Sequence, residues 1–517
     1  MKTLRCNIFF IFLLCLTTCK IGGDVGGAGH VLHVAFPYNR AVIEYDPLRI
    51  HLAPEYIFLE NIYSTLVEIS PKGEIVPAVA KRFEWIGDDA VFKIRKNLKT
   101  VDGIPITAFD AAFSLKRMLI KGAGSYGHIL DMLCQGKAIT SIKDDCTGIA
   151  VKGNNLILRP KSKKSFLFPM LASIDFAVIP HGSVDSDTLD IRDYRNTSGA
   201  YYVGQDYGNG HIELKANKNH FHYSKKIASK IIMVPTDVSD SMSSLKYFEN
   251  GQVDLLTTVD STRPEDVISF ARKHSNANLH MTLNIRTMTI SFTQKGILET
   301  TAEQRRSIGN SVRTAFTSYI KKNHIEGYES TDQYFSVFGE AGLKLNELDL
   351  LHRMFQDKSD HKIPLGLKIQ VVRVGDIKLW QKILSPVLPG INIELGSDLP
   401  AFTTYSRDDD IPHFIITGPD TGWMEDIGLI SYTVNAEYFG ITREQGKIWL
   451  EKYTRQEDKK ERLRMLREIH FQALRNAVLI PFAGVPYVAV VRKPWKINLS
   501  TFFANNQFWL FTWDQDS

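Results

Sequence analysis

The sequence predicts an α/β protein of two lobes joined by a hinge, with a subdomain inserted into the first lobe. Three observations predict this. At 517 residues the chain is too long for one hydrophobic core and calls for two or three. Strand-like and helix-like stretches alternate along its length, with 44% hydrophobic residues and no low-complexity block. Two apolar stretches, Leu279 to Phe292 and Val478 to Phe482, read as strands that carry the chain across to the second lobe and back.

Lys2 and Arg5 precede the apolar run Ile8 to Leu16, which has the length of a secretory signal and is too short to span a bilayer well. It ends in Leu16-Thr17-Thr18-Cys19, which resembles the bacterial lipobox, with Thr18 at a position usually held by a smaller residue. That resemblance implies a signal over residues 1–19 and a lipid on Cys19. Residues 20–30 contain Gly22-Gly23 and Gly26-Gly27 and read as a flexible tether. A phosphate loop would instead follow a strand and open a helix.

Val31 to Phe36 is the first strand of the mature protein. From Asp46 to Gly122 the signals come in a fixed order. The helical run Ile57, Phe58, Asn61, Ile62, Leu66 leads into a hairpin, Val67-Glu68-Ile69 and Glu74-Ile75-Val76 about Ser70-Pro71-Lys72-Gly73. Phe83-Glu84-Trp85 follows, then a strand that alternates Val91, Lys93, Arg95 against Phe92 and Ile94. Asp102-Gly103-Ile104-Pro105 turns into a helix with Thr107 and Asp110 at capping-box spacing and an apolar face of Phe109, Ala112, Phe113 and Leu115. Gly122 ends it.

This ordered run resembles the signature of the family 5 extracellular solute-binding proteins, the oligopeptide- and dipeptide-binding components of ABC importers. Further stretches carry the same resemblance. Asn196-Thr197-Ser198-Gly199-Ala200-Tyr201 is similar to the family's Thr-Gly-Pro-Tyr turn, with Ala200 for proline. A hairpin through Gly208-Asn209-Gly210 leads into Ile212 to Asn217, and Phe248-Glu249-Asn250-Gly251-Gln252-Val253-Asp254 matches a helix-Gly-x-x-Asp-strand step. Val312-Arg313-Thr314-Ala315-Phe316 is similar to the family's Val-Arg-x-Ala-Ile. The second lobe also holds strands at Lys368 to Val374 and Phe414 to Thr417, and a charged helix from about Glu457 to Leu474 with Leu463, Leu466, Ile469 and Leu474 on one stripe.

The resemblance implies a type II periplasmic-binding-protein fold. Its parts are lobe I over 31–53, an inserted subdomain over 54–175, lobe I again over 176–279, lobe II over 280–477 and a return to lobe I over 478–517. The aromatic tail Phe502 to Trp513 is expected to pack on lobe I. The resemblance further implies an extracytoplasmic monomer that captures a solute or short peptide between its lobes and delivers it to ABC permease subunits. The alternative is the same fold kept as a sensor or an envelope folding component. No cofactor is expected.

In peptide-binding relatives a Trp-x-x-Asp segment lines the cleft and its aspartate pairs with the ligand's amino group. Trp423-Met424-Glu425-Asp426 has that spacing, and either Asp420 or Glu425 could hold the charge instead. Tyr126 stands one position from where relatives place a cleft tyrosine.

Cys134 and Cys146 are the thiols left once the leader is gone and Cys19 is acylated. They read as a disulfide, with two separate buried thiols as the other possibility. No His-Glu-x-x-His, Gly-x-Ser-x-Gly or Walker A spacing occurs, so nothing points to an enzyme. His220-x-His222 lacks further ligands at metal spacing and reads as a solvated strand end, and Asp408-Asp409-Asp410 as a solvated loop. With 62 basic against 57 acidic residues and no basic track, charge does not point to nucleic acid.

Overall fold

Val31–Phe36 forms as a strand and lies in the middle of a seven-stranded mixed sheet. The computed structural model describes residues 30–514 except 38–43, 51–52, 123–131, 162–165, 238–239, 241, 259–262, 337–338, 356–361, 373–376, 389, 391, 397–410, 419–426 and 505–506. In sheet order the strands are Ala277–Met281, Val488–Arg492, Leu255–Thr257, Val31–Phe36, Lys230–Pro235, Ile212–Ala216 and Tyr201–Asp206. Val31–Phe36 is parallel to both neighbours, and parallel strands need crossovers that cover the sheet. Leu32, Val34 and Phe36 accordingly enter one buried core and Ala35 another. Helix Ser243–Glu249, Gly251 at φ 74° and strand Leu255–Thr257 make the expected helix-to-strand step.

A second sheet runs Asn392–Gly396, Lys368–Val372, Phe414–Thr417, Arg286–Phe292, Leu479–Val485. Helix Ala302–Lys322, opened by a Thr301–Gln304 capping box, lays Ile308, Val312 and Phe316 into its core. A third, antiparallel sheet of Ala80–Ile86, Asp89–Ile94, Asn155–Leu158 and Ile149–Lys152 belongs to the inserted segment. The hairpin forms over Val67–Ile69 and Ile75–Pro77, with Gly73 at φ 80°.

Helix Ala108–Lys121 starts where its capping box places it, the Asp110 carboxylate accepting the Thr107 N–H and O–H at 2.7 and 2.8 Å. Its buried stripe is Ala108, Ala111, Ala112, Leu115, Met118 and Leu119. Phe109, expected on that face, is instead 50% exposed and set edge-on to His181, because it lies about 100° around the helix from Ala108.

Four further expectations change. The return crossing lies at Pro486–Tyr487: Leu479–Val485 pairs with Arg286–Phe292 in the second sheet, and Val488–Arg492 starts the first-sheet pairing. An apolar run says that a strand is buried, not which sheet buries it. At the other end, helix Ala53–Ile62 puts Ile57, Phe58 and Ile62 into the first lobe's core, and the inserted unit's core begins at Leu66 rather than near residue 54. Helix Lys459–Arg475 buries Arg462, Leu466, His470, Ala473 and Leu474, so two of its innermost side chains are polar, and Leu463 and Ile469 sit at the margin. His220, expected to be solvated, is 4% exposed.

Gly199 shows how closely these parts pack. Its N–H donates to Ile62 O at 2.9 Å, and a Cβ there would lie 2.3 Å from the Ile62 carbonyl carbon, so only glycine fits where the turn meets the helix end. The tail returns to the first lobe, with Phe508 and Phe511 in its core and Trp513 stacked on His30.

Candidate ligand cleft at the lobe junction

The two chain crossings lie side by side and are bonded to each other. Thr282 N–H donates to Tyr487 O at 3.0 Å, and Tyr487 N–H donates to Thr282 Oγ1 at 2.8 Å. Beside them Thr258 N–H donates to Val488 O and Val488 N–H to Thr258 Oγ1, both at 2.9 Å. Arg286, the first residue of the second-lobe strand, donates from Nη1 to Thr258 O at 3.1 Å. Thr258, Thr282 and Tyr487 are all buried. Threonine hydroxyls here replace ladder partners that the diverging sheets cannot supply.

Sheet register gives the position of this junction a consequence. Phe414–Thr417 runs antiparallel to Arg286–Phe292 with Phe414 opposite Phe292 and Thr417 opposite Thr289. The chain therefore leaves the sheet after Thr417 at its Arg286 end, the end nearest the crossings. Asp420, Trp423, Glu425 and Asp426 follow, within 419–426, and lie outside the described residues, as do Tyr126, Cys19 and Asp408 to Asp410. What flanks two of those segments is described. Leu119, Met132 and Leu133 on either side of the Tyr126 segment share one buried cluster with Ile430 and Val434, which follow the Asp426 segment. In strand Arg286–Phe292, Thr289 and Ser291 are buried with hydroxyls that have no hydrogen-bond partner among the described residues, and such a group left unpaired costs about 1–3 kcal/mol.

The inserted unit is joined to the first lobe differently. Arg117, 1% exposed, donates from Nη1 to Asp46 Oδ1 at 3.1 Å, from Nη2 to Asp46 Oδ2, and from Nε to Leu189 O at 2.8 Å. Asp110 accepts from His181 N–H at 3.0 Å and lies 2.7 Å from His181 Nδ1. Ile179 N–H donates to Ser114 Oγ at 2.8 Å. A disulfide joins Cys134 to Cys146 inside this unit.

His220 and His222 are structural. The His222 N–H donates to His220 Nδ1 at 3.2 Å, so His220 Nε2 carries the proton and donates to Ser64 Oγ at 3.0 Å. Burial holds this imidazole well below its usual pKa, and a Ser64 hydroxyl that accepts a hydrogen bond from it is not an activated nucleophile. His222 Nε2 meets Glu68 at 2.9 Å and its ring stacks on Trp509. Among the described residues no group of three or more His, Cys, Asp or Glu could hold a metal ion. The sequence hid this pair because its partners, Ser64 and Glu68, are more than 150 residues away.

Three larger sheets among the described residues, two crossings and an inserted unit make an architecture that known proteins share. Residues 74–323 match the middle part of the bacterial extracellular solute-binding proteins, family 5. That match covers just under half of the chain. Over 252 residues it is 22% identical to the periplasmic oligopeptide-binding protein OppA of Escherichia coli, 46% of this chain against 44% of OppA, so the match spans less than half of that relative. Its fold superposes on the E. coli murein tripeptide binding protein MppA with a TM-score of 0.69 at 16% identity, covering 94% of this chain and 99% of MppA. It superposes equally on AgaA from A. tumefaciens R10, in complex with agropinic acid, with a TM-score of 0.70 at 17% identity over 94% and 99% of the two chains. The chain therefore has the mixed α/β, type II fold of periplasmic binding proteins.

Proposed function

We propose that this protein captures a short peptide or similar small solute between its lobes and hands it to the permease of an ABC importer, without catalysis. One observation carries the reading: the strand register sends the chain after Thr417 out of the second sheet at the end nearest the crossings. Asp426 would pair with the ligand's ammonium group, with Trp423 covering the ligand backbone and Asp420, Glu425 and Tyr126 nearby. A buried ammonium requires a charged partner. The first lobe runs from Val31 through helix Ala53–Ile62, over 176–279 and over the C-terminal return, and the second lobe is built on the second sheet. The protein works as a monomer outside the cytoplasm, held to a membrane by a lipid on Cys19. MppA and OppA are named for peptides and AgaA was solved with agropinic acid, so the fold admits chemically different ligands.

The deciding experiment is native mass spectrometry to identify a co-purifying ligand, followed by calorimetry of that compound on Asp426→Asn. Loss of a buried counter-charge is expected to cost about 2–5 kcal/mol of binding. An affinity within about threefold of wild type, under about 1 kcal/mol, excludes Asp426 as the partner. For the anchor, Cys19→Ser should leave the membrane fraction, and equal retention would refute it.

A further inference from the structure

Residues 325–329 follow helix Ala302–Lys322 and make a noncovalent link between the lobes beside the two crossings. Tyr328 belongs to the second lobe by its ring, which packs edge-on against Phe316 at 5.4 Å on that lobe's core. Its hydroxyl reaches the first lobe and donates to Glu265 Oε2 at 2.6 Å. Glu265 stands in the first turn of helix Pro264–Lys273, whose Val267, Ile268 and Ala271 pack with Val488 and Val490 of the first sheet. Gly327, at φ 89°, lies so close to that helix that a Cβ would fall 3.0 Å from Ile268 Cδ1 and 3.4 Å from Pro486 Cγ. Glu326 pairs with Arg272 on the same helix. The far end of the segment is tied to the second lobe, where Glu329 and Gly484 exchange backbone hydrogen bonds, N–H to O at 3.1 Å from Glu329 and 2.6 Å from Gly484.

We propose that residues 325–329 form a latch that holds the lobes at their present angle, with the Tyr328–Glu265 hydrogen bond as its catch. The angle is a closed one, because the Arg462 guanidinium of the second lobe lies 5.0 Å from the centre of the Phe166 ring of the inserted unit. The catch is built for both states. When the lobes part, the Tyr328 ring stays in its own core, and the hydroxyl and the carboxylate each return to water, which solvates both. The carboxylate is 11% exposed and faces Arg263 and Asp266 on its own helix and Tyr328 from the other lobe, so closing removes a charge from water and recovers a charged hydrogen bond. The latch thus sets the ratio of closed to open protein before ligand arrives, and with it the fraction competent to bind.

The latch rests on the two-lobed reading but not on any ligand, and its test uses none. Small-angle scattering of the ligand-free full chain is expected to show Tyr328→Phe expanded, with the open:closed ratio raised about tenfold, the effect of losing one hydrogen bond to a charged group. Glu265→Gln keeps an acceptor for the Tyr328 proton and should expand less. The double variant should match Tyr328→Phe alone. A Tyr328→Phe curve superimposable on wild type, or a double variant whose expansion is the sum of the two singles, overturns the latch. Should circular dichroism show that Tyr328→Phe has lost structure, Glu265→Gln carries the test, and a wild-type curve for it overturns the proposal.

Discussion

The inserted unit and the second lobe are both attached to the first lobe, and the two attachments are built from different chemistry. Between the inserted unit and the first lobe stand Arg117 and Asp46, both nearly inaccessible, with all three guanidinium nitrogens donating, two of them to the carboxylate. Between the lobes stand two crossing strands, threonine hydroxyls, one tyrosine–glutamate bond and an exposed ion pair. A buried charge pair cannot be separated without stranding a charge in a low-dielectric interior, so the first attachment behaves as a weld. Hydroxyls and half-exposed charges can exchange partners with water at little cost, so the second can turn as a hinge.

The sharpest test of the weld is Arg117→Met, which leaves Asp46 buried and unpaired. Urea unfolding should show a loss of about 3–5 kcal/mol. A loss under about 1 kcal/mol would mean that the inserted unit is not held by this pair.

Next in size is a pH effect at the third contact, where the helix bearing Arg462 and His470 meets the inserted unit's cluster. His470 is buried, accepts the Tyr334 N–H at 3.0 Å, and burial pushes its pKa down to about 3. A depressed histidine favours folding above its unfolded pKa and loses that contribution as pH falls toward the folded value. Stability should therefore drop by about 3 kcal/mol between pH 7 and pH 4 from this residue. His470→Gln, which keeps an acceptor, should flatten that limb of the melting-temperature profile. A profile parallel to wild type would clear His470 of the effect.

The smallest effect is expected at the hinge. Arg272→Ala removes a pair whose side chains are 58% and 52% exposed, and thermal unfolding should move by less than about 0.5 kcal/mol. A cost of several kcal/mol there would erase the distinction between weld and hinge.

The candidates Asp426, Trp423, Glu425 and Asp420 rest only on the Trp-x-x-Asp spacing and lie outside the described residues. Glu265 was not legible at all. Following Pro264 at a helix start, it reads as an acid that favours the helix dipole, which hides its second partner 63 residues away.

Local chemistry by itself determined the pieces whose instructions lie within a few residues. Gly73 closes the hairpin, the Thr107–Asp110 pair opens its helix, and Gly251 turns helix to strand. These depend on φ angles and capping hydrogen bonds, which a short stretch specifies completely. Only the tertiary structure decided which sheet claims Leu479–Val485, why Arg462 and His470 lie on the inner face of a charged helix, and that Arg117 meets Asp46. The physical reason is that periodicity reports whether a residue is buried, whereas its partner is set by how separate elements pack, and a polar group in a core is stable only once that partner has arrived.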